Sequence, residues 1–179
     1  WFLQDMKPKW WNKGKTHLYK RDKVMRKLLS IYKGHLTTRN NFFYSLTRSI
    51  ISQQISVSAA DSVFSKFEKK CKGKINPKIV SQLTIANLRR CGLSRMKALG
   101  IKSLADKILD KSFNPKLIKK MSDEDAINYL SSLRQIGRWS SEMVLIFFYN
   151  RPNIWPVQDI GLLRAISNNY RKKYLPPKS

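Results

Sequence analysis

The stretch of sequence that decides the fold is residues 130–143, which read LSSLRQIGRWSSEM. A run of helical spacing ends near Leu133, the chain turns through Ile136 and Gly137, and a second helical run starts at once from Trp139. The first backbone N–H groups of a helix have no partner inside it, and they carry the positive end of the helix dipole. The pattern therefore predicts two helices joined by a tight turn, with an anion site where the second helix begins.

Gly137 and Arg138 make this turn a candidate phosphate site. Gly137 has no side chain that would keep a phosphate away from the backbone, and Arg138 adds a positive charge beside it. An ordinary turn between two antiparallel helices has the same local pattern. The local sequence leaves both interpretations open.

The charge of the whole chain favours phosphate binding. The 179 residues include 36 Lys and Arg against 11 Asp and Glu, a formal net charge of +25. Such a charge destabilises a compact state by self-repulsion unless a polyanion offsets it, and nucleic acid is the natural partner. A membrane surface and a codon bias toward lysine are the alternatives. The excess is +10 in residues 1–50 and only +2 in residues 101–150.

The composition also excludes several classes of protein. A hydrophobic content of 42% is enough for a core, which argues against a disordered chain. The longest apolar run, residues 143–149, is too short to cross a bilayer, and no signal-peptide core follows the N-terminus, so we expect a soluble intracellular protein. Cys71 and Cys91 are too few for an iron-sulfur cluster, a closed zinc site or a disulfide framework.

Apolar spacing elsewhere predicts further helices and no strand pair, so the predicted fold is all-α. Residues 1–23 show no clear period and are predicted to form a basic, partly ordered arm. Asn76 and Ser122 are predicted helix caps. The predicted helices cover residues 24–32, 42–51, 59–67, 77–82, 85–90, 96–109, a short segment from 115, 122–132, 139–149 and 159–166.

Three further stretches accompany the hairpin in a fixed order. The four motifs are ISQQISVSAA at 51–60, GLSRMKA at 92–98, LRQIGRW at 133–139 and WPVQDIGLLR at 155–164. Together, over about residues 45–170, they resemble the helix-hairpin-helix DNA glycosylases, in particular the alkylbase (3-methyladenine type II) branch. One such motif would be weak, but four in order make a specific resemblance.

The resemblance implies two helical lobes with the active site in the cleft between them. We expect the first lobe to be discontinuous, formed by residues 24–50 and 146–179. The second lobe would be residues 51–145, with the helix-hairpin-helix at about 122–149. The family usually continues with a helical segment carrying a Trp-x-Pro-type sequence. This chain ends before it, so we expect a partial chain or a shorter member with a less closed pocket.

Asp159 is the candidate catalytic residue. Its position at a predicted helix N-terminus favours the charged carboxylate, but a plain helix cap would look the same. In the resemblance it is the essential carboxylate, which stabilises the oxocarbenium-like sugar as an N-glycosidic bond breaks. Gln158 departs from the family, which commonly has a second Asp there, so one negative charge near the site is missing.

Trp139 bears on the type of enzyme. In the glycosylase/lyase relatives, the residue two positions after the hairpin glycine is a lysine that forms a Schiff base with the sugar, whereas Trp cannot act as a nucleophile. The resemblance thus implies a monofunctional glycosylase with water as the nucleophile. An electron-rich ring also suits cationic bases such as 3-methyladenine and 7-methylguanine. The alternative is that Trp139 is an ordinary core residue.

The resemblance also implies the remaining site residues. Arg95 best matches the residue that fills the gap left by the extruded base, with Leu93 or Met96 as alternatives. Arg95 and Lys97 could equally be surface charges, and Gln53 and Gln54 could be structural. The predicted base pocket consists of Trp139, Gln53, Gln54 and Met143. The predicted DNA contacts are Gln135, Ile136, Gly137, Arg138, Ser140, Arg95 and Lys97. The backbone carbonyls predicted to hold a monovalent cation are those of Ser131, Leu133 and Ile136.

These expectations define the partners and cofactors. We expect the chain to act as a monomer on double-stranded DNA that contains damaged bases, with no membrane partner. It would need no cofactor beyond Na⁺ or K⁺ at the hairpin. The compartment would be the cytoplasm of a bacterium, at the nucleoid, or the nucleus of a eukaryote. A non-catalytic helix-hairpin-helix DNA-binding module and a basic RNA-associated protein are the competing hypotheses.

Overall fold

The computed structural model describes residues 7–38 and 41–173, and in these residues it is helical with no strand. The predicted all-α class is therefore confirmed. A 3-10 helix covers Pro115–Lys120. The α-helices are α1 Trp11–Arg21, α2 Lys23–Ile31, α3 Phe42–Ser52, α4 Val57–Lys70, α5 Pro77–Ser81, α6 Ile85–Arg90, α7 Arg95–Leu109, α8 Asp123–Ser131, α9 Arg138–Phe147 and α10 Ile160–Tyr170.

The chain forms two compact units, which we call the split unit and the continuous unit. The split unit takes residues 1–40 and 145–179, and the continuous unit takes residues 41–144. The predicted boundary after residue 50 falls inside α3, whereas the structure puts the whole of α3 in the continuous unit. The reason is that Leu46, together with the last apolar turn of α3, is buried in that unit's core.

The core of the continuous unit is built from the apolar faces of its helices. α3 packs against α4 and α7, and α7 also packs against α5 and α6. Burial of side chains of this size stabilises the fold by about 1.5–3 kcal/mol each. The largest side chains of this unit with no more than 2% exposure include Phe67, Leu46, Ile50, Ile51, Leu88, Ile101, Leu104, Ile118 and Leu130.

Local capping explains why several helices begin where they do. The side chain of Asn76 accepts a hydrogen bond from the Ile79 N–H at 3.0 Å, directly before Pro77 at the first helical position. The Ser122 hydroxyl accepts from the Asp125 N–H at 3.2 Å. Both predicted caps are confirmed.

In the split unit, the N-terminal residues are more regular than predicted. Residues 11–21, predicted to be a partly ordered arm, form α1. The indole N–H of Trp10 donates to the carbonyl of Asn150 at 2.6 Å, and the hydroxyl of Thr38 donates to the Asn150 side chain at 3.2 Å. These bonds join segments more than 100 residues apart. The spacing of apolar residues within a short segment therefore cannot predict them.

Three further properties concern membrane-spanning helices, the cysteines and clusters that could bind a metal. No helix among the described residues combines the length and apolar character needed to span a bilayer. Cys71 and Cys91 are buried free thiols, and burial raises the pKa of Cys71 to about 11. Within the described residues, no group of three or more His, Cys, Asp and Glu side chains is placed to hold a metal ion.

Candidate functional site

The turn between α8 and α9 is held by its own backbone and by Ile136. The N–H of Ile136 donates to the Leu133 carbonyl at 3.1 Å, and the Ile136 side chain is buried. The residue that adopts the left-handed conformation is Gln135, with φ of 68°, and not Gly137. A Cβ on Gly137 would meet no atom within 4 Å. Gly137 thus leaves the backbone accessible at the start of α9, as an anion site requires.

A hydrogen-bonded brace connects the end of α3 to this turn. The side-chain amide of Gln53 donates to the carbonyl of Gln135 at 2.7 Å and to the Ser140 hydroxyl at 3.2 Å. Gln53 was predicted to line the base pocket, and Ser140 and Gln135 were predicted DNA contacts. The structure brings these three residues together, with the Gln53 amide directed at the hairpin.

Lys97 extends this brace to α7. Its ammonium donates to the carbonyls of Ile51 at 2.8 Å and Gln53 at 2.7 Å, where α3 ends and carbonyls lack intrahelical partners. Partial burial lowers the pKa of Lys97. The geometry gives Lys97 a structural role at the end of α3, while its contact with DNA stays a prediction.

Gly100 is a site residue that sequence reasoning missed. A Cβ at Gly100 would lie 2.8 Å from the Gln135 Cγ and 3.2 Å from the Arg134 carbonyl oxygen. Its backbone in α7 therefore packs directly against the hairpin turn. The available signal was a glycine inside a helical period, which commonly marks a close approach of another segment.

Arg138 is bound by two carboxylates. It forms two hydrogen bonds with Glu124, at 2.6 and 2.9 Å, and one with Glu142, at 3.1 Å. The Glu142 side chain is 3% exposed, and this burial raises its pKa, although Arg138 acts in the opposite direction. The hydrogen bond and charge of Arg138 lower the pKa of Glu124. The positive charge of Arg138, which was predicted to contact a phosphate, thus already pairs with two acidic side chains.

The predicted base-pocket residues of the continuous unit differ in exposure. Trp139 is 39% exposed, so it is not an ordinary buried core residue. Met143 is half-buried, and Gln54 is exposed. Gln54 has φ of 56°, a left-handed conformation that non-glycine residues rarely adopt and that functional sites often retain.

The loop before α7 narrows the choice of the residue that would fill the gap in the DNA. Leu93 is only 4% exposed, so its side chain is part of the core and the alternative that it enters the duplex is wrong. Met96 is 48% exposed, and Arg95 is exposed as well. Arg95 and Met96 remain the candidates in this loop.

Asp159 lies in the split unit, where it caps α10. Its carboxylate accepts a hydrogen bond from the Leu162 N–H at 2.7 Å, which confirms the predicted helix start. A Cβ on Gly161 would lie 3.1 Å from the Asp159 Oδ1, so the glycine leaves room for the carboxylate in this position. The Asp159 N–H donates to the Pro156 carbonyl at 3.0 Å and fixes the turn before the helix.

The comparisons with known proteins agree with this arrangement. A family model described as the HhH-GPD superfamily base excision DNA repair protein matches residues 47–178. DNA-3-methyladenine glycosylase 1 of Schizosaccharomyces pombe is 28% identical over 93% of this chain and 74% of its own length. The putative DNA-3-methyladenine glycosylase YfjP of Bacillus subtilis is 30% identical over 84% of this chain. The match covers 56% of the Bacillus protein, so the chain spans little more than half of that relative.

A solved structure extends the comparison to three dimensions. The S. pombe 3-methyladenine DNA glycosylase in complex with abasic DNA superimposes with a TM-score of 0.76 at 27% identity. The superposition covers 92% of this chain and 84% of that one. The matched family segment includes the hairpin, the Gln53 brace and Asp159.

Proposed function

The chain belongs to the HhH-GPD superfamily of base excision DNA repair proteins, and on that premise we propose that it is a monofunctional DNA glycosylase for alkylated purines. It would hydrolyse the N-glycosidic bond of bases of the 3-methyladenine and 7-methylguanine type in duplex DNA. The names of the relatives support this substrate class.

The observation that carries the proposal is the fixed carboxylate of Asp159. The Leu162 N–H holds one oxygen at 2.7 Å, and the positive end of the α10 dipole favours a negative charge at this point. As the glycosidic bond breaks, the sugar gains positive charge, and a preorganised carboxylate stabilises it without reorganising. The same carboxylate would orient the attacking water.

The hairpin would bind the DNA backbone. The N–H groups at the start of α9 lie beside Gly137, where no side chain blocks a phosphate. Gln53 and Gly100 fix the turn from two sides, so these N–H groups are positioned before DNA binds. Phosphate contacts of this kind set the register of the protein on the duplex and carry no information on the base.

Trp139 supports both the absence of lyase activity and the preference for cationic bases. It occupies the position at which the resemblance places the Schiff-base lysine of lyases, and its indole cannot form that intermediate. Trp139 is 39% exposed, and cation–π attraction between an indole and a cationic base is worth about 0.5–2 kcal/mol. A cationic base is also a good leaving group, so no strong general acid is needed.

We also propose a Na⁺ or K⁺ ion at the hairpin and a monomeric enzyme. The Leu133 carbonyl accepts one hydrogen bond, which leaves a second lone pair for a cation together with the carbonyls of Ser131 and Ile136. A single chain supplies both the hairpin and Asp159, so the activity needs no second copy. The ion would bridge the turn to a phosphate.

The test is release of bases from methylated duplex DNA by the wild-type chain, by Asp159→Asn and by Asp106→Asn. Asn is as good a helix cap as Asp, so the first variant keeps the fold and loses the charge. Asp106 is an exposed α7 residue paired with Lys102 and serves as the matched control. We expect release by the wild type and the control, and almost none by Asp159→Asn. Duplex binding without release from any of the three would indicate a non-catalytic binding module.

The absence of lyase activity has its own readout in the same reaction. Abasic product should stay intact until alkali is added, and borohydride should trap no covalent protein–DNA adduct. Strand cleavage without alkali by the wild type would contradict the monofunctional assignment.

A further inference from the structure

The split unit carries very few acidic residues. Its described part contains fifteen Lys and Arg but only two acidic side chains, Asp22 and Asp159. Asp22 is used by the fold, because it accepts the Tyr170 hydroxyl at 2.6 Å and caps α2 through the Met25 N–H at 2.9 Å. These two bonds lower the pKa of Asp22. The other acidic residue is the proposed catalytic carboxylate.

One face of α1 presents a continuous row of basic side chains. Lys13, His17, Lys20 and Arg21 follow the spacing i, i+4, i+7 and i+8, which places them on the same side of a helix, and all four are exposed. We call these four residues the α1 basic face. An open groove follows it, lined by Asn12, Lys13, Thr16, His17, Lys20 and Arg21. The lining offers hydrogen-bond donors and contains no carboxylate.

The position of this face within the split unit suits a partner bound at Asp159. α10 begins at the Asp159 cap and ends at Tyr170, and its 11 residues are about 16 Å long. Tyr170 contacts Asp22, which joins α1 to α2. The C-terminal end of the α1 basic face is thus connected to the Asp159 cap through the Tyr170 side chain and the length of α10. Along the axis of a duplex the phosphates of one strand follow one another every 3.4 Å or so, so a length of about 16 Å corresponds to about five base pairs.

We propose that the α1 basic face is a second DNA-docking surface, which binds backbone phosphates of the duplex beside the lesion. The inference rests on the proposed function and adds a contact that the hairpin does not provide. Charge complementarity favours DNA as the partner, because the four side chains of the α1 basic face are cationic or polar. None of these four is an apolar side chain of the kind that a protein partner would bury. Binding here is independent of base sequence, so it serves to hold and scan DNA.

The test compares two triple variants that remove the same charge. One is Lys13→Gln, Lys20→Gln and Arg21→Gln on α1. The control is Lys116→Gln, Lys119→Gln and Lys120→Gln, all exposed in the 3-10 helix of the continuous unit. The dissociation constant for undamaged duplex is measured against NaCl concentration, and for single-stranded RNA of the same length.

Each lost phosphate contact lowers the salt slope by about 0.9 for duplex DNA. We expect the slope of the α1 variant to fall by about 2–3 and that of the control by less than 1. An equal fall in both variants would show a general charge effect and overturn the proposal, as would an unchanged slope of the α1 variant. A loss confined to RNA would overturn it too.

Two further measurements keep the result interpretable. Far-UV circular dichroism reports the total helix content, which should be the same in the variant and the wild type if the fold is kept. The single variants Lys13→Gln and Lys20→Gln, each expected to lower the slope by about 0.9, replace the triple variant if it unfolds. Base release by the wild type is measured in parallel. A wild type that releases no base would refute the proposed glycosylase, while the duplex slope would still decide the docking surface.

Discussion

The side-chain amide of Gln53 lies 2.7 Å from the carbonyl oxygen of Gln135 and donates a hydrogen bond to it. The two residues are 82 positions apart, and Gln135 is the hairpin residue with a left-handed backbone. The bond gives the Gln135 carbonyl a donor from a segment outside the turn. It therefore couples the end of α3 to the segment that would bind phosphate.

Replacing the donor tests this coupling. Gln53→Glu keeps the size of the side chain but removes the N–H and places a carboxylate against the Gln135 carbonyl. We expect the free energy of unfolding to fall by about 1–3 kcal/mol. The matched control is Gln54→Glu, an exposed neighbour with the same charge change, which should stay within about 0.5 kcal/mol. Equal effects in urea denaturation would refute the brace.

Gly100→Ala should destabilise the protein although alanine favours helices. The new Cβ would lie 2.8 Å from the Gln135 side chain and 3.2 Å from the Arg134 carbonyl, so the hairpin must shift. We expect a net loss of about 1–3 kcal/mol. In Gly14→Ala the Cβ would meet only the Trp10 ring at 3.6 Å, and the helix propensity gain of about 1 kcal/mol should appear. Thermal melts should show a lower melting temperature for Gly100→Ala and a higher one for Gly14→Ala. A higher melting temperature for Gly100→Ala would contradict the packing argument.

Two glycine variants should separate chemistry from binding. Gly161→Ala would place a Cβ 3.1 Å from the Asp159 Oδ1 and displace the carboxylate by a few tenths of an ångström. We expect the single-turnover rate to fall about tenfold with little change in the dissociation constant.

Gly137→Ala fills open space beside the phosphate site. Its affinity for duplex DNA should therefore fall about tenfold, while the single-turnover rate at saturating enzyme stays unchanged. The reverse pattern would show that the two roles are misassigned.

The raised pKa of Glu142 leads us to expect a specific dependence of stability on pH. Burial raises its pKa, so the folded protein binds its proton up to a higher pH than the unfolded chain does. Its contribution to stability therefore falls as the pH rises from the ordinary value of 4.5 through the raised pKa. Glu142→Gln removes this titration. The difference in unfolding free energy, wild type minus variant, should decrease over that range, and a difference that is constant with pH would refute the buried titration.

Helix starts could be predicted because their signals are local. Three capping residues predict a helix start from signals within four positions. They are Asn76, which precedes a proline, Ser122, which lies three residues before Asp125, and Asp159, which precedes an apolar run. The structure confirms all three. Residues 11–21 carry no such signal, because the spacing of their apolar residues does not predict a helix where α1 forms.

The contacts within the candidate site were mostly beyond sequence reasoning. The partners of Gln53, Lys97 and Gly100 lie 34 to 87 positions away along the chain, and such pairs leave no periodic pattern in the sequence. Arg138 is the exception, because Glu142 follows it by four residues, the spacing of an ion pair on a helix. That spacing is the signal in the sequence for the carboxylate of Glu142, which Arg138 binds.

The most direct test of the central claim is the single-turnover rate of base release from methylated duplex, with enzyme in excess, for the wild type and Asp159→Asn. Both proteins are first shown to bind the duplex with similar affinity. If the Asp159 carboxylate stabilises the cationic sugar, the variant should be slower by at least about 100-fold. Equal rates at saturating enzyme would contradict the assignment of Asp159 as the catalytic residue.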